Sequence, residues 1–135
     1  MPRETLSDRD YATLAAFRLA LRRFAAFSEA EAEAAGLAPQ QHQALLAIKA
    51  APWGHPPGIG EIAAQLLIRH NTAVGLVDRL SEAGLVRRAA DPADRRRMRV
   101  VLTARAETVL RALSAAHLRE LRAIRPNLLR LLDNL

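Results

Sequence analysis

From Leu14 to Phe24 the apolar side chains Leu14, Phe17, Leu21 and Phe24 recur at three- and four-residue spacing. That is the repeat of a single helix face. Ser7, with Asp10 three positions later, forms a reciprocal capping pattern, and Gly36 is a natural C-terminal stop. The spacing therefore predicts one helix from residue 7 to about residue 35. Arg18 and Arg22 lie one turn apart on another, solvated face. A second helix is predicted from near Pro39, whose fixed φ suits a first helical position, to about Ala50. Ala38 has no side-chain acceptor to cap it, so this end is expected to fray. The run APWGHPPG at 51–58 reads as a loop, with Trp53 folding back onto the core.

Two short helices follow, Gly60 to Leu66 and His70 to Ala83, the latter ended by Gly84. Leu76, Val77, Leu80 and Ala83 share one face of the second, which leaves its first turn to project outward. Two short strands, Leu85–Ala89 and Met98–Leu102, flank the charged turn DPADRRR. Thr103 then caps a long C-terminal helix. Leu110, Leu113, His117, Leu121, Ile124, Leu128, Leu131 and Leu135 keep the helical spacing along it. Pro126 removes a backbone donor and is expected to break or kink this helix.

The order predicts a mainly α fold with a small β-hairpin wing. A winged helix-turn-helix core at 38–103 sits between arms at 1–37 and 104–135, all within one domain. The apolar stripes of the arms exceed what so small a core can bury. A homodimer in which the arms of two subunits pack together is the economical arrangement.

Composition narrows the chemistry. Half of the 135 residues are hydrophobic but only 4% are aromatic, which points to Ala/Leu helix packing. The absence of cysteine excludes disulfides, thiolate metal sites and thiol-based redox sensing. The opening MPRETLSDRDYATL has no apolar run of a signal peptide, and no stretch reaches the roughly 18 apolar residues of a membrane span. The expected location is the cytoplasm, with no membrane partner. The formal charge is +6, and 19 of the 20 basic residues are arginine. Between Gly84 and Val100 six arginines (87, 88, 95, 96, 97 and 99) face only Asp91 and Asp94, so much of the positive charge is concentrated in the wing. A basic patch of this kind favours a polyanion, because each neutralised phosphate releases counterions.

Several pieces of this stretch resemble the MarR family of transcriptional regulators. They are the VDRL-x-x-x-GLV run from Val77 to Val86, the D-x-x-DRR of Asp91, Asp94, Arg95 and Arg96, and the LT of Leu102 and Thr103. The resemblance extends over nearly the whole length. It implies a homodimer joined through the N- and C-terminal helices that binds double-stranded DNA at a pseudo-palindromic operator, most often as a repressor.

Two surfaces would then meet the duplex. A helix fits the major groove and its first turns reach base edges. Here those positions hold Arg69, His70, Asn71, Thr72, Val74 and Gly75, with Arg79 a turn later as a candidate phosphate contact. Asn71 or Thr72 could equally serve as a helix cap. In the wing, the resemblance assigns the D-x-R unit to Asp94 and Arg96. Arg96 would enter the minor groove, where narrow A·T tracts concentrate negative potential. Asp94 would orient it or bond turn amides, and Arg95 and Arg97 would serve backbone phosphates. Many relatives carry Ser or Asp at the position of Arg69 and Arg at that of Gly75, so the base preference is not transferable. Gly at the position of Ala106 touches only a helix start and leaves the DNA-binding reading intact.

Many relatives also release DNA when a small, often aromatic and anionic ligand enters a cleft between arms and core. Phe24, Phe27 and His42 are the residues that could line it here, and a plain helix-packing core would use them as well. The four histidines, at 42, 55, 70 and 117, show no metal-site spacing on one helix, and His117 sits on an apolar stripe. Gly58-Ile59-Gly60 lacks the glycine pattern and lysine of a phosphate loop. No enzyme activity, metal or cofactor is expected. Two other readings stay open: an architectural DNA binder without sequence preference, and a winged-helix module that binds protein.

Overall fold

The computed structural model describes residues 3–135, so the first two residues of the predicted N-terminal arm lie outside the described residues. The element order is α1 (Asp8–Ala34), α2 (Pro39–Ala50), α3 (Ile59–Leu66), α4 (His70–Glu82), β1 (Val86–Ala90), β2 (Met98–Leu102) and α5 (Ala104–Asp133). Ser7 caps α1 in full: its Oγ accepts the Asp10 amide at 3.2 Å and the Asp10 carboxylate accepts the Ser7 amide at 2.8 Å. At α2 the expected weakness of Ala38 is offset by Gln41, whose Oε1 accepts the Ala38 amide at 2.8 Å.

The β1–β2 hairpin is antiparallel, with Val86 opposite Leu102 and Ala90 opposite Met98. The first strand starts one residue later than the sequence predicts, because Leu85 is spent in the turn, where its amide reaches the Leu80 carbonyl at 2.9 Å. The Val100 amide donates to the Pro57 carbonyl at 2.8 Å, which docks the loop before α3 onto the wing. Leu45, Ile62, Val77, Leu80, Leu85 and Val100 are fully buried where α2, α3, α4 and the hairpin meet. At about 1.5–3 kcal/mol for each large side chain removed from water, this cluster is what fixes α4 relative to the wing.

The arms run beside one another. Arg9, in the first turn of α1, donates to Asn134 Oδ1 at 2.7 Å beyond the end of α5, and Ser28 meets His117, so the two helices are antiparallel. Of the two outcomes expected at Pro126, a break does not occur: α5 continues to Asp133. Pro126 is exposed, and the loss of one backbone donor is not enough to end the helix there. In α5 only Ala106, Leu110 and Leu113 are buried, and in α1 only Thr13 and Ala32.

Three helices end in the same way. After α1, α3 and α4 one residue takes the left-handed conformation, and the next amide turns back to the carbonyl five residues earlier. Glycine fills that place at Gly36 and Gly84 (φ +79° and +72°), but at the end of α3 it is Leu67, with φ +56° and 93% exposure. A left-handed L-residue costs roughly 1–2 kcal/mol, and the exposed side chain returns no burial. Leu67→Gly is therefore expected to stabilise the protein by roughly 1 kcal/mol, visible as a higher melting temperature. A lower melting temperature would contradict this account of the turn.

Candidate nucleic-acid interface

Helix α4 presents two opposite faces. Ala73, Leu76, Val77 and Leu80 are buried against the core, whereas Arg69, His70, Asn71 and Thr72 are exposed at its start and Val74 and Gly75 are half-buried. Arg69 occupies the N-cap position without any side-chain capping bond, and among the described residues neither Asn71 nor Thr72 folds back to cap the helix. The first-turn amides thus point outward beside four uncommitted polar side chains. Gly75 lies under Arg79: a Cβ built there would sit 3.6 Å from the Arg79 Nη2.

The wing is built by its aspartates. Asp91 Oδ1 accepts the Ala93 amide at 2.9 Å and Asp94 Oδ1 accepts the Arg96 amide at 3.0 Å. These two side-chain turns shape the loop, which the Asp91 amide closes onto the Arg97 carbonyl at 2.9 Å. The Asp94 carboxylate also stands 3.7 Å from Arg96 Nε and 3.9 Å from Arg97 Nε. Both modes expected of Asp94, holding turn amides and standing beside the wing arginines, are thus present at once. The Arg96 side chain is 96% exposed at the tip, with Arg95 and Arg97 exposed on either side.

Not all of the wing's charge faces outward. Arg99 turns inward and is only 15% exposed. It donates to Asp91 Oδ2 at 2.8 and 3.2 Å and to Glu61 Oε1 at 2.9 Å, tying the wing to the first turn of α3. Arg88 is paired with Asp78 of α4, a second tie between wing and helix. Strand alternation predicts one of Arg87 and Arg88 outside, yet both are exposed. The charge available to a partner is therefore carried by Arg87 and Arg95 to Arg97. Arg99 and Glu61 were not legible as a pair, since they lie on different elements and only the fold brings them together.

The Ala93 amide first, and the Arg99 guanidinium second, hold the Asp91 carboxyl below the ordinary carboxylate range. The sign follows from linkage: a depressed acid contributes stability above its unfolded pKa and loses it as pH falls through the folded value. Wing order should therefore be lost below about pH 4. Protection of the 91–97 amides against hydrogen exchange, relative to the intrinsic rate at the same pH, should fall there, and Asp91→Asn should already be poorly protected at neutral pH. Equal protection in both proteins would refute this anchoring.

Phe24, Phe27 and His42 do come together, but around a fourth side chain. The His117 ring lies 5.9 Å from that of Phe24, 5.3 Å from Phe27 and 4.7 Å from His42, centroid to centroid. Phe24 also borders a 250 Å³ groove between α1 and α5 with Leu19, Arg23, Glu120 and Ile124. His55 and His70 stay apart from this cluster. Among the described residues no three His, Cys, Asp or Glu side chains come together as metal ligands, and no helix is long and apolar enough to cross a membrane.

A sequence profile of the MarR family matches residues 35–97, which span α2, α3, α4 and the wing turn. No curated protein matches the chain by sequence. Among solved structures, a probable transcriptional regulator from Pseudomonas aeruginosa is 32% identical, over 82% of this chain and 80% of that one, with a TM-score of 0.62. AbsC, a MarR family transcriptional regulator from Streptomyces coelicolor, shares the fold with a TM-score of 0.76 at 20% identity, over 93% of this chain and 84% of that one. A variant of MepR from Staphylococcus aureus, bound to an oligodeoxyribonucleotide, gives 0.69 at 20% identity, over 91% and 96% of the two chains. The profile match over residues 35–97 and the 32% identity to a probable transcriptional regulator agree, and the chain belongs to the MarR family of DNA-binding transcriptional regulators.

Proposed function

We propose that the chain acts as a homodimer on a pseudo-palindromic operator and represses transcription there. The arms, residues 1–37 and 104–135, join the subunits, and residues 38–103 contact DNA. The observation that carries this reading is the apolar surface left on the arms of a single chain. Leu14, Leu19 and Leu21 on α1 and Leu118, Leu121, Leu129 and Leu132 on α5 are each 40–58% exposed. The leucines of α5 line a groove of about 360 Å³ with Arg122 and Arg125. A ladder of this length, continuous along a helix that has no fully buried residue beyond Leu113 in its own chain, suits a second copy of the same helix pair.

Two α4 helices related by a two-fold axis would enter successive major grooves about one helical turn apart. Arg69, His70, Asn71 and Thr72 would face base edges, with Val74 and Gly75 beside them and Arg79 towards phosphate. The open amides at the start of α4 would receive a phosphate oxygen. Arg96 would enter the flanking minor groove, with Arg95 and Arg97 on the backbone. The MepR variant bound to an oligodeoxyribonucleotide supports this placement by shared fold. A dimer seated across two turns of duplex excludes other proteins from it, which is why repression is the proposed outcome.

A small aromatic or anionic effector would act by preferring one spacing of the two α4 helices. At Phe24, Phe27 and His42 it would have to displace the His117 ring. The reading is tested by sedimentation of the protein with a duplex carrying an inverted repeat. Two chains per duplex are expected. One chain per duplex, or chains accumulating in proportion to duplex length, would overturn it.

A further inference from the structure

Where the arms meet the core, two histidines from distant parts of the chain are in contact. His42, in the second turn of α2, is 4% exposed, and its Nδ1 is buried with no hydrogen-bond partner. The His117 ring of α5 lies against it at 4.7 Å, inclined by 46°. His117, in contrast, is fully partnered. Its Nδ1 is 2.7 Å from the Leu113 carbonyl, which can only accept, so Nδ1 carries the proton. Its Nε2 is 2.8 Å from the Ser28 hydroxyl of α1, which donates to the neutral ring and could turn to accept from a charged one. Phe24 and Phe27 enclose the same ring edge-on. The cluster thus joins α1, α2 and α5 at one point.

Protonation of His42 would be uncompensated: the ring would bury an N–H with no acceptor, beside another imidazole. Among the described residues no carboxylate lies within ion-pair distance of either ring. On α1 the nearest acid along the face of Ser28 is Glu31, and on α5 Glu120 follows His117 by one turn; both are half-buried. The one other ionisable side chain of α2, Lys49, is held by Glu107 at 2.9 Å. Nothing compensates a charge at His42 while the three helices stay packed.

We propose that the His42–His117 contact is a proton-operated switch at the junction of arms and core, in which proton uptake at His42 separates α2 from α1 and α5 and lowers affinity for DNA. The proposal rests on the dimeric DNA-binding reading above, because moving α2 against the arms changes the spacing of the two α4 helices. Burial first, and the adjoining His117 second, hold His42 below the ordinary histidine range. Because His42 is a base held low in the folded state, the packed junction is fully stable above the unfolded value near ~6.5 and loses stability as pH falls from there toward the folded value. By linkage, DNA bound to the packed state makes protonation of His42 harder still.

The test compares the full-length protein with His42→Phe and His42→Gln, from pH 7.5 to 5.5 at constant ionic strength. His55 and His70 are common to all three, so only the difference between proteins is read. Anisotropy with a selected duplex should show the parent losing about tenfold more affinity than the variants across this range. Melting without DNA should show a parent whose stability falls below pH 6.5 more steeply than that of either variant. His42→Gln keeps a polar side chain and supplies the comparison if His42→Phe does not fold. Equal pH dependence in parent and variants, in both measurements, would overturn the switch. A protein that binds no duplex at pH 7.5 would overturn the DNA reading instead, and the melting difference would then decide the proton coupling alone.

Discussion

With Leu118 and Leu129 both replaced by arginine, the protein should sediment as a monomer and bind a two-site duplex about 10²–10⁴-fold more weakly. The two positions lie three turns apart on one face of α5 and are 49% and 46% exposed, so neither substitution disturbs the core of a single chain. What they remove is the fit of one leucine ladder against another, replaced by charges that would face each other in a symmetric pair. The loss in affinity follows because each core then binds its half-site alone, without the effective concentration supplied by its partner. The distal half of α5 has no buried residue in its own chain, so circular dichroism should also show some loss of helix. A double variant that stays dimeric would remove the arms from the account of assembly.

Arg96→Ala should weaken DNA binding by about 1–3 kcal/mol for each wing, which is about thirtyfold or more for a dimer with two wings. The side chain is almost wholly exposed and its backbone amide, not its guanidinium, supports the turn. Folding and melting temperature should therefore be unchanged, and the loss should be similar across operator sequences. Arg96→Lys should restore the charge but only part of the affinity, since an ammonium lacks the planar fork. Anisotropy titrations of the three proteins check this. Unchanged affinity in Arg96→Ala would favour a wing that does not touch DNA, as in a protein-binding module.

Much of the fold was legible because its signals are local. The stripe of Leu76, Val77 and Leu80 set the buried face of α4, and Ser7 with Asp10 set the start of α1. Legibility failed where a tertiary contact outweighs a local rule. Pro126 reads as a helix breaker, but at an exposed position on a helix tied to α1 at its end it is accommodated. Leu67 carries no sign that it must take a glycine's place, since the left-handed turn is imposed by the packing of α3 against α4. Arg99 reads as one more wing cation, yet two carboxylates from separate elements draw it inward. The meeting of His42 with His117 is set only by how the arms fold back on α2. The roles given to Arg69, His70, Asn71 and Thr72 stay proposals of the same kind, since reading bases is a property of the complex.

The central claim is sequence-specific recognition by a dimer. Selection from random duplexes, followed by anisotropy titration of the selected sequence against its scrambled form at several salt concentrations, tests it most directly. The account predicts a palindromic sequence bound at least about 10³-fold more tightly than scrambled DNA. A steep salt dependence with no preferred sequence would contradict it and leave a non-specific architectural DNA binder in its place.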